Sequence, residues 1–134
     1  MDSVRLGIIG IGSMGRGHAE TILSGRISRC KLTAVCDPSP GKLTRFPTAK
    51  TFTHSEELIG SGAVDAVLIA TPHYDHTAIG IDALQHGLHV LVEKPISVHK
   101  ADAQRLIAAH QGPNQVFAAM LINAPIRTTQ RCAN

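Results

Sequence analysis

Aromatic residues are nearly missing from this 134-residue sequence, which has no Trp, one Tyr and three Phe. Its core must therefore be built from Ile, Leu, Val and Ala. Lys and Arg are scattered, without a contiguous run and without interleaved aromatics, which argues against nucleic-acid binding. Cysteines are few. Cys30, Cys36 and Cys132 make an odd count with no C-x-x-C spacing, which speaks against a disulfide framework and reads as free thiols in a reducing compartment. No apolar run approaches the roughly 18 residues of a membrane helix. The N-terminus carries strand residues and glycines where a secretory signal would carry a basic segment and then an apolar one. A soluble, cytoplasmic domain is the expectation. Charged residues make up 17% with a net charge of +3, and the 43% that are hydrophobic suffice for a core and against disorder. The length fits one domain, and no repeat or low-complexity tract appears.

What is present begins with V-R-L-G-I-I-G-I-G-S-M-G-R, Val4 to Arg16. An apolar run, Leu6 to Ile9, stops at Gly10, and Gly12 and Gly15 complete a G-x-G-x-x-G spacing. Ser13 to Leu23 then carries a helical pattern. Each glycine has a reason. Gly10 permits the tight turn, Gly12 lets backbone approach a pyrophosphate, and Gly15 lets the helix pack closely on the sheet. The free N–H groups and partial positive charge of the helix start suit phosphates. Glycines alone are weak, but here they follow a strand and open a helix. Gly10, Ile11, Gly12, Ser13, Met14 and Gly15 are accordingly candidate dinucleotide-binding residues.

Lys31 to Asp37 reads as a second strand. It places Asp37 about twenty residues past the glycines, where a carboxylate can accept from the adenine-ribose hydroxyls. That carboxylate would repel a 2′-phosphate, so NAD is expected ahead of NADP, with Arg16 and Lys42 keeping NADP open. Read alone, Asp37 before Pro38 is also an ordinary turn starter. Further along, Ser39 to Arg45 suggests a short helix and Ala49 to Thr53 a brief strand. Ser55 is expected to cap a helix with Glu56 and Glu57 in its first turn. Val64 to Ala70 is a strand of the kind buried on both faces. A helix from His73 to His86, a strand from His89 to Val92, a helix from Ser97 to Ala109 and a strand from Val116 to Ile122 complete the pattern. Alternation of this kind means βαβ units. The expected fold is α/β, a Rossmann-type doubly wound, mainly parallel six-stranded sheet in the order 3-2-1-4-5-6, with ligands at the carboxyl ends of its strands.

At A-T-P-H-Y-D-H and V-E-K-P the sequence resembles the N-terminal domain of the Gfo/Idh/MocA family (glucose–fructose oxidoreductase and inositol dehydrogenase relatives). With G-I-G-S-M-G and C-D in the same order, the likeness runs from Val4 to about Leu121. It implies a nicotinamide-dependent oxidoreductase that moves a hydride between NAD(P) and a hydroxyl of a sugar, cyclitol or related polyol. It also implies roles. Lys94 lies beside the nicotinamide and the substrate oxygen as the catalytic residue, Glu93 by the nicotinamide ribose, and Pro95 in the turn. Thr71, Pro72 and His73 resemble a loop along the cofactor, in which Asn is common where His73 stands. His76 matches a recurrent histidine of the family. It is counted on the cofactor side, and its role reads as capping or anchoring the following helix. No metal is expected, since the spacing of His73, Asp75 and His76 fits neither a helical ligand pair nor a closed set.

Full members continue into a second α/β domain, which supplies an Asp and a His for proton transfer. Here residues 1–122 read as the cofactor-binding domain and 123–134 as an irregular tail where that second domain would begin. A piece of a longer chain, a shortened product and a shifted reading frame all fit such an ending. Alone, the chain is expected to be a weak or inactive catalyst, and a stand-alone NAD(H)-binding module or a non-catalytic remnant is the alternative. Self-association is one way to bury apolar surface that a second domain would cover.

Overall fold

A computed structural model describes residues 3–25, 29–71, 76–93, 100–110, 112 and 114–120. Strand β1 (Val4–Ile9) leads into α1 (Ser13–Leu23) and β2 (Cys30–Cys36). After them come a 3-10 turn (Pro40–Arg45), β3 (Lys50–Phe52), α2 (Ser55–Ile59) and β4 (Ala66–Ile69). The described part closes with α3 (His76–Gln85), β5 (His89–Glu93), α4 (Lys100–Ala109) and β6 (Phe117–Met120). The six strands form one sheet in the order β3-β2-β1-β4-β5-β6. Every pairing is parallel, so the sheet is wholly rather than mainly parallel.

Parallel strands joined through helices are covered on both faces, which is why β1 and β4 are apolar almost without alternation. Successive side chains still serve opposite layers. Leu6 and Ile8 of β1, with Ala66 and Leu68 of β4, pack with Ala19 and Ile22 of α1 and with Leu43 and Phe46. Ile9 of β1, with Val67 and Ile69 of β4, packs instead with Leu58, Leu84 and Leu106 from α2, α3 and α4. Among these, Ile8, Val67, Ile69, Leu84 and Leu106 are fully buried.

Several boundaries move from their expected places. Strand β4 is shorter than Val64–Ala70 because only Ala66–Ile69 has a partner on β1. Ser55 does not cap α2. It is the first helical residue, and His54 holds the cap position with no side-chain cap hydrogen bond. Glu56 and Glu57 still complement the helix dipole from the first turn. Helix α3 begins at His76, and residues 72–75 before it lie outside the described residues. So do 94–99, Cys132 and the whole stretch 121–134 on which the tail reading rests. Cys30 and Cys36 are free thiols.

Polar contacts lock the sheet's amino edge. Asp65 accepts from the Arg5 guanidinium at 2.8 Å and from the Arg5 N–H at 3.0 Å, while its own N–H donates to the Arg5 carbonyl at 2.7 Å. The Arg5 side chain, and then its N–H, hold the Asp65 carboxyl below the usual carboxylate range. The fold therefore favours the ionised form. That increment is complete above the ordinary carboxylate range and is lost as pH falls through the depressed folded value. Asp65→Asn should be less stable than the parent at neutral pH, with the Tm gap closing in acid. Because both side chains are half-exposed, the gap at neutral pH should be small and should shrink further with added salt.

The opposite flank depends on Gln115, which is buried. Its amide donates to the carbonyls of Leu84 at 2.9 Å and Leu88 at 2.7 Å, tying the entry of β6 to the end of α3. His110 Nε2 pairs with the Gln115 carbonyl, and the Val116 N–H donates to His89 Nδ1 at 3.0 Å. These two histidines are accounted for by structure.

Candidate functional site

The chain steps from β1 through α1 to β2 on one side, and from β3 through α2 to β4 on the other. The winding therefore reverses between β1 and β4, and such a switch leaves a crevice beyond the carboxyl ends of those strands. A cleft of about 780 Å³ lies there. It is walled by Gly10, Gly12, Ser13 and Met14 after β1, Asp37 after β2, Thr53 to Glu56 after β3, and Ala70 and Thr71 after β4.

The glycine loop is held from behind. The Gly10 N–H donates to the Cys36 carbonyl at 2.8 Å, and the Ala70 N–H donates to the Ile9 carbonyl at 2.8 Å. Gly10 has φ +99°, and a Cβ there would come within 2.8 Å of the Ala70 carbonyl carbon and the Thr71 nitrogen. Only glycine combines that conformation with so close an approach. Gly15, one turn into α1, is buried, and a Cβ on it would collide with the Gly10 carbonyl oxygen. Gly12 is the opposite case, for a Cβ there would meet no atom of the chain within 4 Å.

Among the described residues, no side chain caps the start of helix α1. Gly12 is its N-cap, and its first turn holds no acid. The leading N–H groups of a helix have no intrahelical partner, and here they face the cleft.

Asp37 is only 6% exposed. One carboxylate oxygen accepts from the Ile11 N–H at 2.8 Å and the other from the Ser39 N–H at 2.9 Å. The second contact is the turn expected of an Asp two residues before its partner. The first clamps the glycine loop to the end of β2. A carboxylate has about four lone-pair sites, so acceptor capacity remains on the cleft side. The neighbouring Cys36 thiol is pushed up to about 12, first by burial and then by the charges of Asp37, Glu57 and Glu56. It is a neutral wall rather than a nucleophile.

The sequence's candidates thus divide. Gly10, Gly12, Ser13, Met14, Asp37 and Thr71 line one cleft. Ile11 turns its side chain into the core and gives its N–H to Asp37, and Gly15 lies beneath the loop. His76 heads α3 and Glu93 ends β5 on the same edge of the sheet. Pro72, His73, Lys94 and Pro95 lie outside the described residues. Sequence reasoning missed the loop from Thr53 to Glu56. Its only signal was position, since it follows a strand and so reaches the same edge.

This geometry meets an independent likeness. Residues 4–120 match the model of an oxidoreductase family with an NAD-binding Rossmann fold, GFO_IDH_MocA. The chain belongs to that family. Among relatives of this Gfo/Idh/MocA chain, inositol 2-dehydrogenase of Corynebacterium glutamicum is 34% identical over 113 residues, covering 81% of this chain and 33% of that protein. Scyllo-inositol dehydrogenase of Lactobacillus casei, solved with NAD(H) and scyllo-inositol bound, superposes with a TM-score of 0.78 at 26% identity. The superposition covers 88% of this chain and 36% of the other. The WlbA dehydrogenase of Bordetella pertussis, solved with NADH and UDP-GlcNAcA, gives 0.74 at 28% identity over 81% and 33% of the two chains. The chain spans about a third of the length of the relatives it matches. Among the described residues, no helix is long and apolar enough to cross a membrane.

Proposed function

We propose that this chain is the cofactor-holding portion of a cytoplasmic, nicotinamide-dependent dehydrogenase whose substrate is a hydroxyl of a cyclitol, sugar or related polyol. The observation that carries the reading is the cleft at the switch point, with an open Gly12 backbone at the start of an uncapped helix. A pyrophosphate fits that cradle, which offers N–H donors, a partial positive charge and no side chain in the way. The spare lone pairs of Asp37 then suit the adenine-ribose hydroxyls, and Thr71, with Pro72 and His73 after it, would run along the dinucleotide. The bound nicotinamide supplies the hydride acceptor or donor.

For the reacting end, the family resemblance assigns Lys94 to the substrate oxygen. There an ammonium would stabilise developing alkoxide charge. Glu93 would stand by the nicotinamide ribose, with Pro95 fixing the turn and His76 anchoring α3. The inositol dehydrogenases among the relatives make a cyclitol the leading substrate class. Residues 1–122 would act as one cofactor-binding unit, and self-association would cover apolar surface left by a partner domain.

Titrating the purified chain with NADH, by calorimetry or nicotinamide fluorescence, tests the reading. Saturable binding with one site per chain is expected. If NADH fails to bind at any concentration that distinguishes it from free nicotinamide, the chain does not hold the cofactor.

A further inference from the structure

Two histidines hold the connection between α4 and β6, in opposite chemical roles. A backbone carbonyl only accepts, so His110 Nε2, paired with the Gln115 carbonyl, must carry a hydrogen. A backbone N–H only donates, so His89 Nδ1, which receives the Val116 N–H at 3.0 Å, must carry none. The bond thus fixes His89 as a neutral ring with its hydrogen on Nε2. Further protonation leaves the His110 contact intact, because Nε2 remains a donor. On His89 the same proton sets an N–H against an N–H and removes the bond.

Val116 is the first rung between β5 and β6. Its carbonyl accepts from the Val90 N–H at 2.8 Å, and the regular pairs follow, from Val90 with Phe117 to Glu93 with Met120. His89 is half-buried and Val116 exposed, so protons reach the contact from solvent. Charged neighbours act on the ring. At the adjoining strand edge, the Arg5 contacts first, and then a charge on His89, hold the Asp65 carboxyl down. Ionised Asp65 therefore attracts the imidazolium. Behind α3, His86 is engaged with Asp82 at 3.3 Å, and His110 follows α4. The His89 ring thus has a partner in each state, Val116 when neutral and Asp65 when charged.

We propose that His89 is a proton-operated latch on β6, closed when the neutral ring accepts from Val116 and open when the imidazolium releases it. The Gln115 amide, which donates to the Leu84 and Leu88 carbonyls, does not titrate. Acid therefore opens the first rung and leaves the connection anchored to α3. The strand freed at this end runs to Met120 beside Glu93 at the other. No cofactor is needed for the latch to work, so it stands or falls separately from dinucleotide binding.

Amide hydrogen exchange of the full chain tests this, read as protection factors corrected for the intrinsic effect of pH. The range is about pH 8 to about pH 5, over which an imidazole changes charge. On acidification Val116 should lose about tenfold in protection, as for one hydrogen bond, while Val67 in the middle of the sheet keeps its own. His89→Asn puts an amide oxygen near the place of Nδ1 and does not titrate, so Val116 protection should there stay within about twofold. His110→Gln, which keeps a donor near the place of Nε2, should respond as the parent does. In the parent itself, the Val116 amide shift and the His89 ring-nitrogen signals should titrate with one midpoint, a readout that needs no variant to fold. Constant Val116 protection in the parent, or separate midpoints, overturns the latch. So does a response that survives in His89→Asn or disappears in His110→Gln. An equal loss at Val67 would mean that acid loosens the whole sheet, and would overturn it as well.

Discussion

Gly12→Val should lower NADH affinity at least about a hundredfold and leave the fold in place. The two halves of this result have separate causes. Gly12 is the N-cap of α1 with φ −84° and ψ −160°, an extended conformation that a β-branched residue adopts without strain. No atom of the chain lies within 4 Å of the Cβ it would acquire, so no overlap arises in the free protein. Val is a poorer N-cap than Gly, and the cost to the helix is about 1 kcal/mol or less. The isopropyl group instead projects into space that the dinucleotide requires, since the pyrophosphate must approach this backbone closely to use the N–H groups beyond it. A thermal melt and an NADH titration on the same preparation separate the two effects. Binding within about threefold of the parent would show that the ligand does not cross the loop at Gly12.

The sheet order was legible because β1, β4 and β5 each hold a short apolar run and are separated by helical patterns. Parallel strands joined in this way leave few arrangements. Helix α1 was legible to the residue, for Gly12 and the apolar spacing after it mark both ends. Where reading failed, the deciding partner was distant in sequence. Asp37 was recognisable as a ribose acceptor and as a turn starter, but not as the clamp on the Ile11 N–H, a contact between residues 26 apart. Gln115 sits in a stretch with no motif, yet its buried amide donates to the carbonyls of both Leu84 and Leu88. Ser55 was misplaced by one position because Ser, the favoured cap residue, sits beside a His that holds the cap without capping by side chain. Lys42 was read with Arg16 as keeping NADP open, whereas Arg45 was not singled out, and the 3-10 turn brings it to a hollow that Arg16 and Lys42 also line.

Gly15→Ala sets local propensity against tertiary packing, and packing should win. In a helix interior, Ala is favoured over Gly by about 1 kcal/mol, so the local rule predicts stabilisation. At this position the new Cβ would lie inside the van der Waals radius of the Gly10 carbonyl oxygen. That oxygen has little freedom to turn away, because the Gly10 N–H is bonded to the Cys36 carbonyl and the backbone of Ala70 and Thr71 stands within 2.9 Å of where a Gly10 Cβ would lie. Either α1 must lift from the sheet, separating Ala19 and Ile22 from Leu6 and Ile8, or the loop must distort. Forced overpacking costs about 1–3 kcal/mol, and more against backbone, so a net loss of about 2 kcal/mol is expected. For a domain of this size that lowers Tm by roughly 6–10 °C. Gly17→Ala is the matched control, since it lies in the same helix, is exposed, and has nothing within 4 Å of its Cβ. There propensity acts alone, and Tm should rise by a few degrees. The pair isolates close helix–loop contact as the reason for the third glycine of the motif. If Gly15→Ala melted at or above the parent, the helix would have room that this geometry denies it. The same lift of α1 would move its leading N–H groups away from the cleft, so Gly15→Ala should also weaken NADH binding without placing a single atom against the ligand.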